Sequence, residues 1–335
     1  MPEQRAGLTI RDPPQRACGR PFSRTETVDR MFFRNLTLFR FPESCARSLK
    51  KLEKELDDHR LRPCGPIEMA TRGFVSPYGR DAEELVHRVG PYALLSIGSE
   101  DKLLPASVIA EELANKIAKI SEKESRRIGA RERKRLKDEV INELLPRAFV
   151  RPSRLAAYVD TETGWLVVDT ASRRAAEDTV TAIREGLGRF PATPMAPVES
   201  PRALMTGWLA HGKLPAGLAW GDEIELRDPV EAGAVVRCRR QELESDEIRE
   251  HLKSGKQVFQ LGLELDERIA FVLGEDLTVR KLRFLDVVLD ELGEDSAESA
   301  RQELDARFAL MTLELKRLLE KLDEWFGLPR PDERD

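Results

Sequence analysis

The residues with the most chemistry to offer are cations. Lys116, Lys119, Lys123, Arg126 and Arg127 recur at helical spacings, and five more positive side chains follow between Arg131 and Lys137. From Lys116 to Arg154 thirteen Lys or Arg stand against six Asp or Glu, a net of +7 in a chain whose total charge is −5. A helix charged only to stay in solution balances its signs. An excess of this size points to a polyanion such as nucleic acid, with a solvated helix face as the plain alternative. Just beyond lies Leu144-Leu145-Pro146-Arg147-Ala148-Phe149-Val150-Arg151, where an aromatic ring follows a proline break and stands between Arg147 and Arg151. A ring flanked by cations can wedge into a minor groove or stack on a base; it can equally be core. A second group, Arg237-Cys238-Arg239-Arg240-Gln241, could hold phosphates with guanidinium forks and an amide, or pair with Glu242 and Glu244. Alternation along a strand would put Arg237 and Arg239 on one face and Cys238 with Arg240 on the other. Arg280, Lys281 and Arg283 make a weaker third group.

The catalytic inventory is thin. His59, His87, His211 and His251 are far apart and form no H-x-x-x-H, and no phosphate-binding or nucleophile-elbow motif is present. A nuclease needs clustered carboxylates to hold metal beside the scissile phosphate. Glu314-Leu315-Lys316 offers only a short E-x-K element on a helix face, and Asp222-Glu223-Ile224-Glu225 reads as an acidic strand edge. No catalytic residue, metal site or cofactor is expected.

These groups must be positioned by a mixture of helices and strands. Phe32 to Arg40 reads as a strand. Ser44 caps a helix carrying Leu49, Leu52 and Leu56, which Pro63, Gly65 and Pro66 break. Tyr92–Ile97 is a second strand, and Ala106 to about Leu145 is helical, divided near Gly129. Leu155–Val159 and Trp165–Val168 flank the turn Asp160-Thr161-Glu162-Thr163-Gly164, and a helix follows from Ala171 to Leu187. A linker-like stretch holds Pro191, Pro194, Pro197 and Pro201. Then come a strand at Ala234–Arg240, a short helix at Ser245–Lys253, a hairpin of Val258–Leu265 with Arg268–Leu273, and a basic strand at Thr278–Leu285. Leu304, Phe308, Met311, Leu315, Leu318 and Leu322 mark an amphipathic helix over Ala300–Phe326, as core or as part of a dimer contact.

The class is α+β. The expected organisation is an unstructured extension over 1–30, an α+β unit over 31–115, a basic helical segment over 116–154, a second unit over 155–230 and a third over 231–335. With 41 % hydrophobic and 34 % charged residues among 335, the chain has ample core material and is neither fibrous nor wholly disordered. No apolar run reaches the ~20 residues of a membrane helix, and the first thirty residues lack the apolar region of a secretory signal. Four scattered cysteines without a C-x-x-C pair suit a reducing cytoplasm.

In order and spacing, residues 31 to about 327 resemble the recombination-associated RdgC family of proteobacteria. The resemblance is carried by Phe33-Arg34-Asn35-Leu36, Pro63-Cys64-Gly65, Gly73-Phe74-Val75-Ser76-Pro77 and Lys102-Leu103-Leu104-Pro105. It continues through Leu136-Lys137-Asp138-Glu139-Val140, Leu144-Leu145-Pro146-Arg147-Ala148-Phe149, Ala176-Glu177-Asp178-Thr179 and Ala309-Leu310-Met311-Thr312. It implies a nucleoid-associated, cytoplasmic protein that binds double-stranded DNA with little sequence preference, single strands being a secondary ligand. It further implies a ring-shaped homodimer whose positively charged hole encircles the duplex. Such a protein would restrain the RecA recombinase by occupying DNA, with a link to replication-fork repair. The family's functional phenylalanine falls on Phe149. Its hole-lining lysine–glutamine pair falls on Arg240 and Gln241, where arginine keeps the charge and adds bidentate geometry. The competing classes are a metal-dependent nuclease and a protein-only scaffold touching the recombinase through the acidic C-terminal region.

Overall fold

The computed structural model describes residues 32–79, 82–230, 233–292 and 300–331. The extension expected over 1–30 lies outside the described residues. The strands, in chain order, are β1 (Thr37–Arg40), β2 (Ala70–Val75), β3 (Val86–Val89), β4 (Tyr92–Leu103), β5 (Phe149–Asp160), β6 (Trp165–Val168), β7 (Thr193–Pro194), β8 (Leu218–Arg227), β9 (Val235–Arg239), β10 (Gln257–Leu265), β11 (Ile269–Gly274) and β12 (Val279–Phe284). The helices are α1 (Cys45–Leu49), α2 (Leu52–Leu56), α3 (Ala106–Glu124), α4 (Ala130–Leu144), α5 (Arg173–Leu187), α6 (Pro201–His211), α7 (Asp246–Lys253), α8 (Asp286–Leu289) and α9 (Ala300–Phe326). All strand pairs are antiparallel. β2-β4-β5-β6-β1-β7 form one sheet, with β3 beside β2 on the same edge of β4, and β12-β11-β10-β8-β9 form a second.

The middle of β4 is buried from Ala93 to Gly98 because both faces of the first sheet are covered, which explains why its sequence is apolar rather than alternating. On one face, Leu49, Leu52 and Leu56 from α1 and α2 and Val180 and Ile183 from α5 pack against Leu95, Val159 and Leu166. On the other, α9 lies between the two sheets. Its stripe Phe308, Met311, Leu315, Leu318 and Leu322 is fully buried against Leu94, Tyr158 and Val167 of the first sheet and Leu261, Leu263 and Phe271 of the second. The helix expected at Ala300–Phe326 is therefore core. Where it passes β3, Phe308 meets the His87 ring at 5.3 Å, and His87 Nδ1 sits 2.7 Å from the Tyr78 hydroxyl.

The sheets are joined by residues 34–36. Leu36 N–H donates to Val279 O (2.8 Å), Val279 N–H donates back (3.0 Å), and Leu282 N–H donates to Arg34 O (2.8 Å). Asp169 Oδ1 accepts from the Arg34 and Asn35 amides at 2.8 and 3.0 Å, and burial pushes the Asp169 carboxyl pKa up despite them.

The segments expected as separate units share sheets. The first sheet takes β1–β4 from 31–115 and β6 and β7 from 155–230, while β8, also from 155–230, enters the second. Packing long strands side by side buries more backbone than closing each short unit alone. The stretch of prolines also holds an unforeseen helix, α6. Pro201 occupies its first turn, where a missing N–H is harmless, and Ser200 Oγ accepts from Ala203 N–H.

Candidate nucleic-acid interface

β4 and β5 pair over twelve residues each, from Tyr92↔Asp160 to Leu103↔Phe149. The first six residues of β5 are exposed and the last four buried, because β5 outruns β6 while β2 follows β4 only as far as Asp101, and the hairpin with the helices it carries forms a finger. Its tip is the helical pair α3–α4, broken as expected before Gly129. Ser125 closes α3 in the left-handed conformation and Gly129 opens α4. Phe149 is the first residue of β5 and is 80 % exposed, so it is not core. Leu103, its partner across the hairpin, and Val150 are also exposed. Met69, whose carbonyl accepts from Lys102 N–H at 2.8 Å, extends the apolar patch at the outer end of the hairpin.

The cations of the finger fall into two kinds. Lys116 is bound to Glu143 at 2.8 Å and Glu139 at 3.2 Å, which ties α3 to α4 and raises the Lys116 pKa. Arg126 forks onto Glu132 through two 2.7 Å bonds and also holds Glu124, which clips the turn between the helices. Both are paired in place and brace the tip. Lys119, Lys123 and Arg127 are exposed and form no ion pair among the described residues. Neither do Arg131, Arg133, Lys134, Lys137, Arg147 and Arg151. These nine free cations make the finger strongly positive, with Phe149 where the hairpin strands pass into the helical tip.

A second feature is a groove of about 1490 Å³ on the outer face of the second sheet. Its lining includes the small residues Gly221, Gly262 and Ala270. A Cβ on Gly221 would lie 2.7 Å from the Gly262 carbonyl carbon, and one on Gly262 would lie 2.9 Å from Glu223 O, so glycine is what lets β8 and β10 approach at the bulge between Leu261 and Leu263. Arg239 lines this groove, and so does Arg240. Alternation would have turned Arg240 to the core side with Cys238. β9 ends at Arg239, and Arg240 adopts φ 55°, which turns it back to the groove side. Gln241 lines the groove too, its amide held by Glu247 at 2.8 Å. Arg237 is spent on Glu225, which also binds Arg227. Burial opposes ionisation of Glu225, but the two guanidinium hydrogen bonds prevail and hold its carboxyl below the usual range. β8 is thus an interior strand, not the acidic edge expected of 222–225.

Three groove cations were missed or underrated in the sequence. Arg34 comes from the junction, and Lys281 and Arg283 from β12. The i,i+2 spacing of Lys281 and Arg283 was the available signal; nothing local marked Arg34. The groove as a whole is balanced: Arg34, Arg239, Arg240, Lys281 and Arg283 face Asp222, Glu223, Glu242, Glu244 and Glu264. The E-x-K element is committed to structure, since Glu314 is buried and gripped by Arg268 at 2.8 and 2.9 Å and by Arg317. Among the described residues no three His, Cys, Asp or Glu side chains gather as a metal site would need, and no helix is long and apolar enough to cross a membrane.

Comparison with known proteins places this architecture. A family model described as "Putative exonuclease, RdgC" matches residues 31–328. A recombination-associated protein RdgC of Xanthomonas campestris pv. campestris (strain B100) is 49 % identical over 303 residues, covering 90 % of this chain and 100 % of the relative. Those of Xanthomonas axonopodis pv. citri (strain 306) and Stenotrophomonas maltophilia (strain R551-3) are 50 % and 48 % identical over the same coverage.

Proposed function

The chain belongs to the RdgC family, and from that premise we propose that it is a recombination protein that binds double-stranded DNA without sequence preference. The observation that carries this reading is the finger: nine unpaired cations on a segment that also carries an 80 % exposed phenylalanine. Lys and Arg contacts to phosphates position a protein on DNA and carry no sequence information, while an exposed ring adds stacking that every base tolerates. The groove arginines Arg239 and Arg240, with Gln241, are the second contact. A homodimer, which we propose as the assembly, would double both contacts around one two-fold axis. Occupying DNA in this way would limit the access of the RecA recombinase and associate the protein with the nucleoid.

The family description contains the word exonuclease. We propose binding without cleavage; the Glu314 of the E-x-K element is engaged structurally by Arg268 and Arg317. The experiment is anisotropy of two unrelated labelled duplexes across a salt series, with and without Mg²⁺. Equal, steep negative slopes of log K against log salt are expected, with both strands intact. Absence of binding at low salt overturns the proposal, and Mg²⁺-dependent shortening of the labelled strand replaces it with the nuclease reading.

A further inference from the structure

Lys281 and Glu223 form an ion pair, with Lys281 Nζ 2.7 Å from Glu223 Oε1, although they stand on strands that are not neighbours. β12 and β8 are separated by β11 and β10. At 4.7–4.9 Å per strand, a flat sheet would hold the two backbones ~14 Å apart. The side chains meet across the concave groove face, where β10 contributes the side-chain-free Gly262 and β11 its register partner Val272, with Ala270 beside them. Lys281 is also aimed by the backbone. The β11–β12 register shifts between Ala270 and Val272, Lys281 takes φ 52°, and its amide donates to Asn35 Oδ1 at 3.3 Å instead of to the ladder. A non-glycine residue in that conformation persists only where its surroundings impose it. On the other side of Glu223 stands Arg239, its register partner in β9, which forms no ion pair among the described residues.

We infer that Glu223 is an internal anion that occupies Lys281 in place of a nucleic-acid phosphate, so that the groove is held below its full affinity. The inference rests on the reading that this groove faces DNA. In the resting groove Lys281 contributes no phosphate contact, and the free guanidinium groups of Arg239 and Arg240 carry the binding there. Removing the Glu223 charge releases Lys281 to the phosphate backbone.

The test is anisotropy of a random-sequence duplex from 50 to 300 mM salt with the full chain, in a double-substitution cycle. Glu223→Gln should bind about two- to fivefold tighter, the equilibrium worth of an exposed ion pair. Its log–log salt slope should steepen by about 0.9 as one more phosphate is neutralised. Glu264→Gln removes the same charge from the same groove without freeing a lysine, and should leave the slope unchanged. Lys281→Gln should be near neutral alone and should abolish the steepening when added to Glu223→Gln. Should Glu223→Gln lower the thermal midpoint, Glu223→Asp shortens the reach at constant charge and should steepen the slope in its place. A Glu223→Gln no different from Glu264→Gln, or a steeper slope that survives Lys281→Gln, overturns the inference. If wild type fails to bind the duplex at 50 mM salt, it is the nucleic-acid reading that falls. Wild-type binding that Arg240→Ala weakens, with no gain in Glu223→Gln, refutes only the internal anion.

Discussion

Substituting Lys119, Lys123 and Arg127 together by alanine should flatten the salt dependence of duplex binding, whereas substituting Lys116 and Arg126 should not. All five belong to one basic run, and the sequence gives no reason to separate them. The structure does: the first three are exposed without ion pairs among the described residues, and the other two are held by Glu139, Glu143, Glu124 and Glu132. Each phosphate neutralised contributes about 0.9 to the slope of log K against log salt, so losing three contacts removes about 2.7. If counterion release fades near 1 M salt, that amounts to at most about 500-fold in affinity at 0.1 M. Alanine is the best helix former, so α3 survives the loss of Lys119 and Lys123. The Lys116/Arg126 variant should keep the wild-type slope, and instead show faster amide exchange where α3 meets α4. The assay is the same salt-dependent anisotropy on two unrelated duplexes, with hydrogen exchange on the free proteins. Equal slope changes in both variants would refute the claim that pairing decides which cations are available. An unchanged slope in the triple variant would remove the finger tip from the interface.

Phe149→Ala should weaken single-strand binding by about 5- to 150-fold, the worth of one stacked base, weaken duplex binding as well, and leave the thermal midpoint unmoved because the side chain is exposed. Gly262→Ala should destabilise the protein by about 1–3 kcal/mol in urea unfolding, since its Cβ would lie 2.9 Å from Glu223 O and force β8 and β10 apart. Burial lowers the His87 pKa, against the attraction of Asp305 at 3.4 Å and with the repulsion of Arg301. A neutral ring is thus favoured in the folded state, and the unfolded chain binds the proton first. The His87 contribution should be complete above about pH 6.5 and lost as pH falls toward the lowered folded value, with a slope of up to about 1.4 kcal/mol per pH unit. Urea midpoints from pH 5 to 7.5 should flatten in His87→Asn; an equal slope in that variant would assign the acid sensitivity elsewhere.

Much of the fold was legible because its periodicities are strong. The α9 stripe, the α3–α4 break before Gly129, the β10–β11 hairpin and the β5–β6 turn at Gly164 each follow from side-chain spacing or backbone permissiveness within a few residues. The +7 run and Phe149 also stood out, since charge and aromaticity are additive along a chain. The sequence alone therefore determined the most periodic elements, though not α6, β2 or β3, and that one of them carries excess positive charge. It could not tell that α9 is wedged between two sheets, because an amphipathic stripe says that a face is buried but not against what. Nor could it sort the cations. Lys116 is silenced by carboxylates on the next helix, Arg237 by one on the neighbouring strand and Lys281 by one three strands away. Arg240 joins the groove through a backbone conformation set where β9 ends. Only the tertiary structure decided which charges face solvent free, because an ion pair depends on distances between side chains, and those are fixed by packing among residues far apart in the chain.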